Sequence, residues 1–170
     1  MENRMNRETA IERAHAYFDD GTFESDLARR VAIPTESQNA DRADAMHDYL
    51  EGEMRSALEG LGYTCRFLDN PDPRGWPLLA AERIEDEALP SVFTYGHGDV
   101  IRGQDASWHD GLSPWELTRQ GDRLYGRGTA DNKGQHTPNE HLLAPLVREG
   151  LGIMTGLFWD LGEEGIPERA

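Results

Sequence analysis

Residues 91–101 read SVFTYGHGDVI and join an apolar run to a polar turn. The run over 90–95 predicts a buried strand, because short β-branched and aromatic stretches bounded by turn residues are typical of strands. His97 and Asp99 follow at the point where that strand ends. A second apolar run, residues 153–159, predicts another strand and precedes Glu163 and Glu164. In open α/β sheets ligands gather at the carboxyl ends of strands, so both runs indicate a functional site there.

The rest of the chain fits an α/β pattern. Helical spacing of apolar residues predicts helices over 8–19, 23–31 and 41–61, and strands are predicted over 63–68, 77–84, 115–118 and 123–125. A helical segment over 134–149 contains Pro145, which should kink or break it. We therefore expect a three-layer α/β/α fold with a mixed, mostly parallel sheet, preceded by N-terminal helices. The strands near 90–96 and 153–159 should be parallel neighbours joined by a right-handed crossover.

Composition excludes several classes of protein. The 170 residues carry a formal net charge of −15, which argues against nucleic acid as a partner, and no apolar run approaches the ~20 residues of a membrane span. The N-terminus lacks the apolar core of a secretory signal. The single cysteine, Cys65, cannot form an internal disulfide, so a reducing cytoplasm is the expected location.

The basic residues are strongly biased in type. Of 17 Lys and Arg residues, only Lys133 is a lysine. A lysine retained under such a bias indicates that its chemistry is required. It lies in YGRGTADNKGQH, residues 125–136, where Asp131 follows a glycine-rich turn.

The polar clusters have ordinary interpretations when each is taken alone. His97 could be structural, Asp99 a turn former, and Glu163 with Glu164 a solvated pair. Together, at predicted strand ends, His, Asp and Glu side chains suit zinc, manganese or cobalt. The residues therefore favour a metal site.

These motifs also resemble one known family, the co-catalytic zinc peptidases and deacylases. That family includes aminoacylase, acetylornithine deacetylase, succinyl-diaminopimelate desuccinylase, carnosine dipeptidase and glutamate carboxypeptidase. The likeness runs from about residue 20 to about 165, the N-terminal part of such a protein. The motifs that carry it are His97-Gly98-Asp99, Trp108 with Pro114-Trp115, Tyr125 to Gly134, and Glu163-Glu164.

The resemblance implies a role for each site residue. His97, Asp131 and Glu164 would be metal ligands, with Asp131 bridging two divalent ions, zinc first and cobalt or manganese as alternatives. Asp99 would hold the His97 imidazole, and Glu163 would be the catalytic general base. Arg127 and Lys133 would anchor the glycine-rich loop by pairing with nearby carboxylates, with surface solvation as the alternative.

The implied function is metal-dependent hydrolysis of amide bonds in small peptides or N-acyl amino acids. Two further ligands and a second domain of the family would lie beyond Ala170, so residues 1–170 are expected to be the N-terminal portion of a truncated catalytic domain. The alternative is a non-catalytic fragment whose metal site is incomplete. For the chain alone we expect weak metal binding, no measurable amidase activity, and association, including homo-oligomers, through exposed apolar surface; neither nucleic acid nor membrane is an expected partner.

Overall fold

The computed structural model describes residues 6–71, 75–133 and 141–164. The three N-terminal helical regions are confirmed. Helix α1 spans Arg7–Asp19 and begins at Asn6, whose side chain accepts a hydrogen bond from the Thr9 N–H at 2.9 Å. Helix α2 spans Thr22–Ala32. The third region is continuous but changes its winding: a 3₁₀ turn Ala40–Arg42, α3 Ala43–His47, a π-helical stretch Asp48–Arg55, and α4 Ser56–Gly60.

The described strands are short and form two sheets. Strand β1 (Thr64–Leu68) pairs antiparallel with β2 (Leu78–Glu82), so the strands predicted over 63–68 and 77–84 are confirmed. Strand β3 (Thr118–Gln120) pairs antiparallel with β4 (Arg123–Tyr125). Strand β5 (His141–Leu143) completes a three-stranded sheet of order β3-β4-β5. The predicted strand over 123–125 is thus confirmed, whereas that over 115–118 begins only at Thr118.

The prediction of a strand over 90–95 is wrong. These residues have no regular secondary structure, and Phe93 and Tyr95 are 92% and 80% exposed. A strand needs a neighbour to satisfy its backbone N–H and C=O groups, and the segment expected to pair with it is not a strand. Further along this segment, Val100 forms a parallel bridge with Glu36.

The predicted strand over 153–159 is also wrong, because a helix, α5, spans Ala144–Glu164. An apolar run this short does not distinguish a strand from a helix by its period alone. Pro145 does not interrupt the helix, because it lies in the first turn, where a backbone N–H has no intrahelical partner in any case. Of the remainder of the predicted helix, residues 141–143 form strand β5 instead, and residues 134–140 lie outside the described residues.

The parallel pairing of 90–96 with 153–159 and its crossover therefore do not occur in this structure. The mixed, mostly parallel sheet and the three-layer arrangement stay predictions, since the pairs β1–β2 and β3–β4 are antiparallel and Val100 forms a single parallel bridge. Within the described ranges, no helix combines the length and the apolar character that crossing a membrane requires.

The chain divides into two compact units, of which the first comprises residues 1–25, 84–94 and 143–170. Within this unit, helices α1 and α5 pack antiparallel to each other. Arg7 at the start of α1 pairs with Asp160 near the end of α5 at 2.7 Å, and Arg148 near the start of α5 pairs with Asp19 at the end of α1 at 2.6 Å. A side chain at Gly152 would collide with His15, so this glycine permits the helices to approach closely.

The second unit comprises residues 26–83 and 95–142. Its buried apolar residues come from the helices, from β4 and from the two segments that carry His97 and Asp131. The glycine-rich loop lies directly on α2, because a Cβ at Gly126 would come within 2.9 Å of Val31 Cγ1. The buried apolar set is Leu27, Val31, Met46, Tyr49, Val100, Leu124 and Ala130.

Candidate metal centre

The turn that carries His97 is held against the helical part of the second unit. Thr35, fully buried, donates its hydroxyl to the Gly98 carbonyl at 2.6 Å. A Cβ at Gly98 would lie 2.5 Å from Tyr49 Cε1, so any other residue would strike the tyrosine ring. The Val100 N–H then donates to the Thr35 carbonyl at 2.8 Å. Gly98 is therefore required for packing, and the turn has a fixed position on Thr35 and Tyr49.

His97 has a carboxylate at each ring nitrogen. Its Nδ1 lies 3.0 Å from Asp99 Oδ1, and its Nε2 lies 3.0 Å from Asp131 Oδ1. The side chains of His97, Asp99 and Asp131 are 34%, 35% and 30% exposed, so solvent and solutes reach them. The two motifs singled out from the sequence thus meet at this imidazole.

The arrangement at His97 suits a cation. A neutral imidazole has one N–H donor; if Nδ1 gives it to Asp99, Nε2 becomes an acceptor that faces a second acceptor on Asp131. Two facing acceptors need a proton or a positive ion between them. Nitrogen and carboxylate oxygen are ligands that zinc, cobalt and manganese accept. His97 Nε2 and Asp131 therefore fit as part of a metal site, with Asp99 fixing the ring.

The glycine-rich loop presents Asp131 from a tight turn. The Thr129 side chain, fully buried, donates to the Gly126 carbonyl at 2.8 Å, and the Thr129 N–H donates to the same oxygen at 3.2 Å. Gly128 has φ +83°, a left-handed conformation that a side chain would strain. These contacts fix the loop just before Asp131.

Lys133 anchors this loop, but by contacts that the sequence did not predict. Its ammonium donates to the backbone carbonyls of Arg30 at 2.9 Å and Ile33 at 2.7 Å, near the end of α2. It also lies 4.9 Å from the centre of the Tyr49 ring. The alternative of a solvated lysine is wrong, because Lys133 is only 8% exposed.

Arg127 and the tryptophans fasten a neighbouring loop. The Arg127 guanidinium stacks 5.5 Å from the Trp108 ring and donates to the Gly103 carbonyl at 3.3 Å, and Trp108 Nε1 donates to the same carbonyl at 2.8 Å. Trp115 Nε1 donates to Asp105 Oδ1 at 3.2 Å. These side chains pack the loop that follows the His97 turn.

Glu36 is a site-supporting residue that sequence reasoning missed. Its side chain is 8% exposed, and its carboxylate accepts from the Gly103 N–H at 2.6 Å and from Asn39 Nδ2 at 2.8 Å. Burial by itself raises the pKa of Glu36, but the hydrogen bonds from Gly103 and Asn39, together with nearby arginines, lower that pKa below its ordinary value. Nothing in the sequence distinguishes this glutamate from the other acidic residues.

Glu163 and Glu164 lie at the end of α5, in the first unit, and not behind a strand as predicted. Glu163 is exposed, and the side chain of Glu164 lies outside the described part of the structure. Among the described residues there is no group of three or more His, Cys, Asp or Glu placed to hold a metal ion. The roles of Glu163 as base and Glu164 as ligand stay predictions.

Known proteins are similar to this chain in sequence over parts of its length, and solved structures are similar to it in fold. Residues 93–165 match the model of Peptidase family M20/M25/M40. Beta-Ala-His dipeptidase of Rattus norvegicus is 47% identical over 60 residues, 34% of this chain and 12% of its own length. Acetylornithine deacetylase of Proteus mirabilis (strain HI4320) is 29% identical over 114 residues, 66% of this chain and 28% of its own.

Solved structures agree over more of the chain. Human carnosine dipeptidase 1 superposes with a TM-score of 0.64 at 24% identity, covering 88% of this chain and 32% of that one. The dipeptidase Dug1p from Saccharomyces cerevisiae gives a TM-score of 0.61 at 19% identity, over 87% of this chain and 31% of its own. At these identities the structures show the fold alone.

The chain spans less than a third of the length of each of these four relatives. The region of the family match contains His97, Asp99, Asp131 and the Glu163-Glu164 pair. The resemblance found in the sequence is confirmed over residues 93–165, which match the model of Peptidase family M20/M25/M40.

Proposed function

We propose that this chain supplies the metal-binding part of a hydrolase that cleaves amide bonds in small peptides or N-acyl amino acids. The observation that carries the proposal is the His97 imidazole with Asp99 at one nitrogen and Asp131 at the other, inside the segment that matches the peptidase family. Relatives named as a dipeptidase and as a deacetylase both act on C–N bonds, which supports the same reaction class.

In this proposal His97, Asp131 and Glu164 would hold the divalent ions, with zinc as the first choice and cobalt or manganese as alternatives. Bound ions of this kind polarise a carbonyl and lower the pKa of water. Asp99 holds the imidazole so that Nε2 faces Asp131. Glu163 would take a proton from the water molecule that attacks the amide carbonyl and would return it to the leaving amine. We also propose a reducing cytoplasm as the location, since Cys65 is the sole cysteine of the sequence.

A second candidate is a chain that binds metal without turnover. It is favoured by one observation: within the described ranges His97 and Asp131 have no third His, Cys, Asp or Glu close enough to complete a site. A catalytic zinc normally has three protein ligands. This candidate shares the metal-binding residues with the first and differs only in activity.

An amidase assay with a matched variant separates the two. The chain, loaded in turn with zinc, cobalt and manganese, is assayed on β-alanyl-histidine and N-acetylornithine, and Glu163→Gln is assayed beside it with Glu149→Gln as the control. If the chain is active alone, contrary to the expectation stated above, Glu163→Gln should reduce turnover by at least 100-fold with metal retained, while Glu149→Gln keeps the parent rate. Metal binding without turnover supports the second candidate, and absence of both metal binding and turnover contradicts both.

A further inference from the structure

Lys133 is the lysine kept in a chain that otherwise uses arginine for its basic residues. It lies two residues after Asp131 in the same loop, yet its ammonium is buried against α2 and not at the exposed centre. We propose that Lys133 is a positioning residue that holds Asp131 against His97. This inference rests on the proposed function, because the pair it positions is the proposed metal-binding pair.

The contacts of Lys133 fix both ends of its side chain. The ammonium donates to the Arg30 and Ile33 carbonyls, at the negative end of the α2 dipole. The stem runs across Gly128, where an added Cβ would lie 2.8 Å from Lys133 Cδ. Lys133 therefore attaches the loop to the end of α2 at a point two residues after Asp131.

The end of α2 and Tyr49, which hold Lys133, also hold the turn that carries His97, the other residue of the pair. Tyr49 touches Gly98, next to His97, with one part of its ring, and the ring centre is 4.9 Å from the Lys133 ammonium. Thr35, two residues after the Ile33 carbonyl that binds Lys133, donates to Gly98. The turn that carries His97 and the loop that carries Asp131 thus both contact Tyr49 and the segment that follows α2. The 3.0 Å separation of His97 Nε2 and Asp131 Oδ1 depends on both attachments.

The geometry also explains why arginine is absent here. An ammonium is a compact charge with three donors on a flexible stem, so it fits between two carbonyls beside an aromatic ring. A planar guanidinium is wider and carries five donors in a rigid fork. We therefore expect Lys133→Arg, which keeps the charge, to disturb the site almost as much as Lys133→Met.

Nitrogen NMR of His97 tests the inference without metal. In the metal-free chain at one fixed pH, the side-chain nitrogens of His97 are assigned with His97→Gln and compared between parent, Lys133→Met and Lys133→Arg. We expect the Nε2 signal, which faces Asp131 in the other loop, to shift by several ppm in both variants. The Nδ1 signal, which faces Asp99 in its own turn, should shift much less than the Nε2 signal. A variant that only destabilises the fold would leave both nitrogen signals unchanged or shift both by the same amount. Either result overturns the inference.

The control variant is Arg83→Met. Arg83 also donates to a backbone carbonyl at a helix end, that of Leu61 at 2.7 Å after α4, but it is exposed and contacts neither loop of the site by that bond. It should leave both His97 nitrogens unchanged. An Nε2 shift in Arg83→Met equal to that in Lys133→Met overturns the specific role of Lys133.

Cobalt affinity gives a second readout. If the parent binds Co²⁺, Lys133→Met and Lys133→Arg should bind it about 10- to 100-fold more weakly, the usual effect of removing a residue that orients a ligand. Equal affinity in all three chains would overturn the positioning role while leaving the proposed function intact. If the parent binds no Co²⁺, the proposed function fails, and the His97 spectra still decide the role of Lys133.

If neither Lys133 variant folds, the parent chain supplies the test. Labelling with ¹⁵N-lysine yields a single side-chain signal, because the sequence has one lysine. Held by two carbonyls, that ammonium should give a sharp signal whose protons exchange with water at least 10-fold more slowly than those of free lysine. Exchange at the rate of free lysine would show that the attachment to α2 does not exist and would overturn the inference.

Discussion

Glu36 illustrates how a single buried side chain supports the candidate site from a distance. Its carboxylate binds the Gly103 N–H, and the Gly103 carbonyl in turn accepts from Trp108 and Arg127. The chain on either side is coupled to the His97 turn, because Val100 pairs with Glu36 in a parallel bridge. An ionised carboxylate buried with its hydrogen bonds satisfied is stabilising only while those bonds remain.

We expect Glu36→Gln to lower the free energy of unfolding by about 1–3 kcal/mol near pH 7, since bonds to a charged acceptor are lost. The pKa of Glu36 is lower in the folded chain than its ordinary value of 4.5. The ionised group therefore stabilises the fold above that pH, and the contribution disappears as the pH falls through the folded-state pKa. Urea unfolding of parent and variant between pH 7 and pH 3.5 should show that the difference in their free energies of unfolding becomes smaller as the pH falls.

The control for this prediction is Glu82→Gln, since Glu82 is exposed at the end of β2. Its effect should stay within about 0.5 kcal/mol and be independent of pH. A Glu36→Gln effect no larger than that of Glu82→Gln would contradict the supporting role of Glu36.

At the same scale, the meeting of His97 and Asp131 could be predicted, whereas their supports could not. The two motifs contain side chains whose chemistry is informative without coordinates. Thr35, Tyr49 and Glu36 are ordinary residue types in helices and loops, and they matter because of what they touch. The attachment of Lys133 to carbonyls, too, has no sequence signature, since any residue offers a carbonyl.

Helices were easier to predict than strands, for a physical reason. Apolar residues at helical spacing reveal α1 and α2 within the local sequence, because a helix satisfies its own hydrogen bonds. A strand depends on a partner elsewhere in the chain. β1 and β2 are consecutive in the chain, whereas 90–95 and 153–159 were predicted from their apolar residues alone, and runs this short do not distinguish a strand from a helix. When 153–159 forms part of α5, neither prediction holds.

The pairing of α1 with α5 supplies a prediction for the first unit. Gly152 of α5 faces His15 with no room for a side chain, whereas Gly150 has open space around its Cβ position. Gly152→Val should therefore push the His15 ring aside and loosen the contact between the helices, at a cost of about 1–3 kcal/mol from overpacking. Gly150→Val places the same residue in the same helix and should leave the pairing intact.

Hydrogen exchange of the α1 amides measures this effect directly. Amides of α1 should lose protection in Gly152→Val and keep it in Gly150→Val. Equal protection in the two variants would contradict the close packing of α5 on α1.

For the whole molecule, the net charge and the exposed apolar residues favour opposite behaviours in solution, dispersion and association. The net charge of −15 favours a dispersed chain and attraction of cations. Phe93 at 92% exposure and Ile153 at 64% exposure are apolar groups in contact with water. Association through such groups stays a prediction, which sedimentation at several salt concentrations would check.

Zinc binding to the His97–Asp131 pair, measured by titration calorimetry near pH 7.5, tests the central claim most directly. The parent chain is compared with Asp131→Asn, which keeps the size of the side chain and removes its charge, and with Asp110→Asn, which changes an exposed aspartate by the same amount. We predict that the parent binds Zn²⁺, that Asp110→Asn binds it equally well, and that Asp131→Asn binds it at least about 10-fold more weakly. Equal zinc affinity in all three chains would contradict the assignment of this pair as the metal centre.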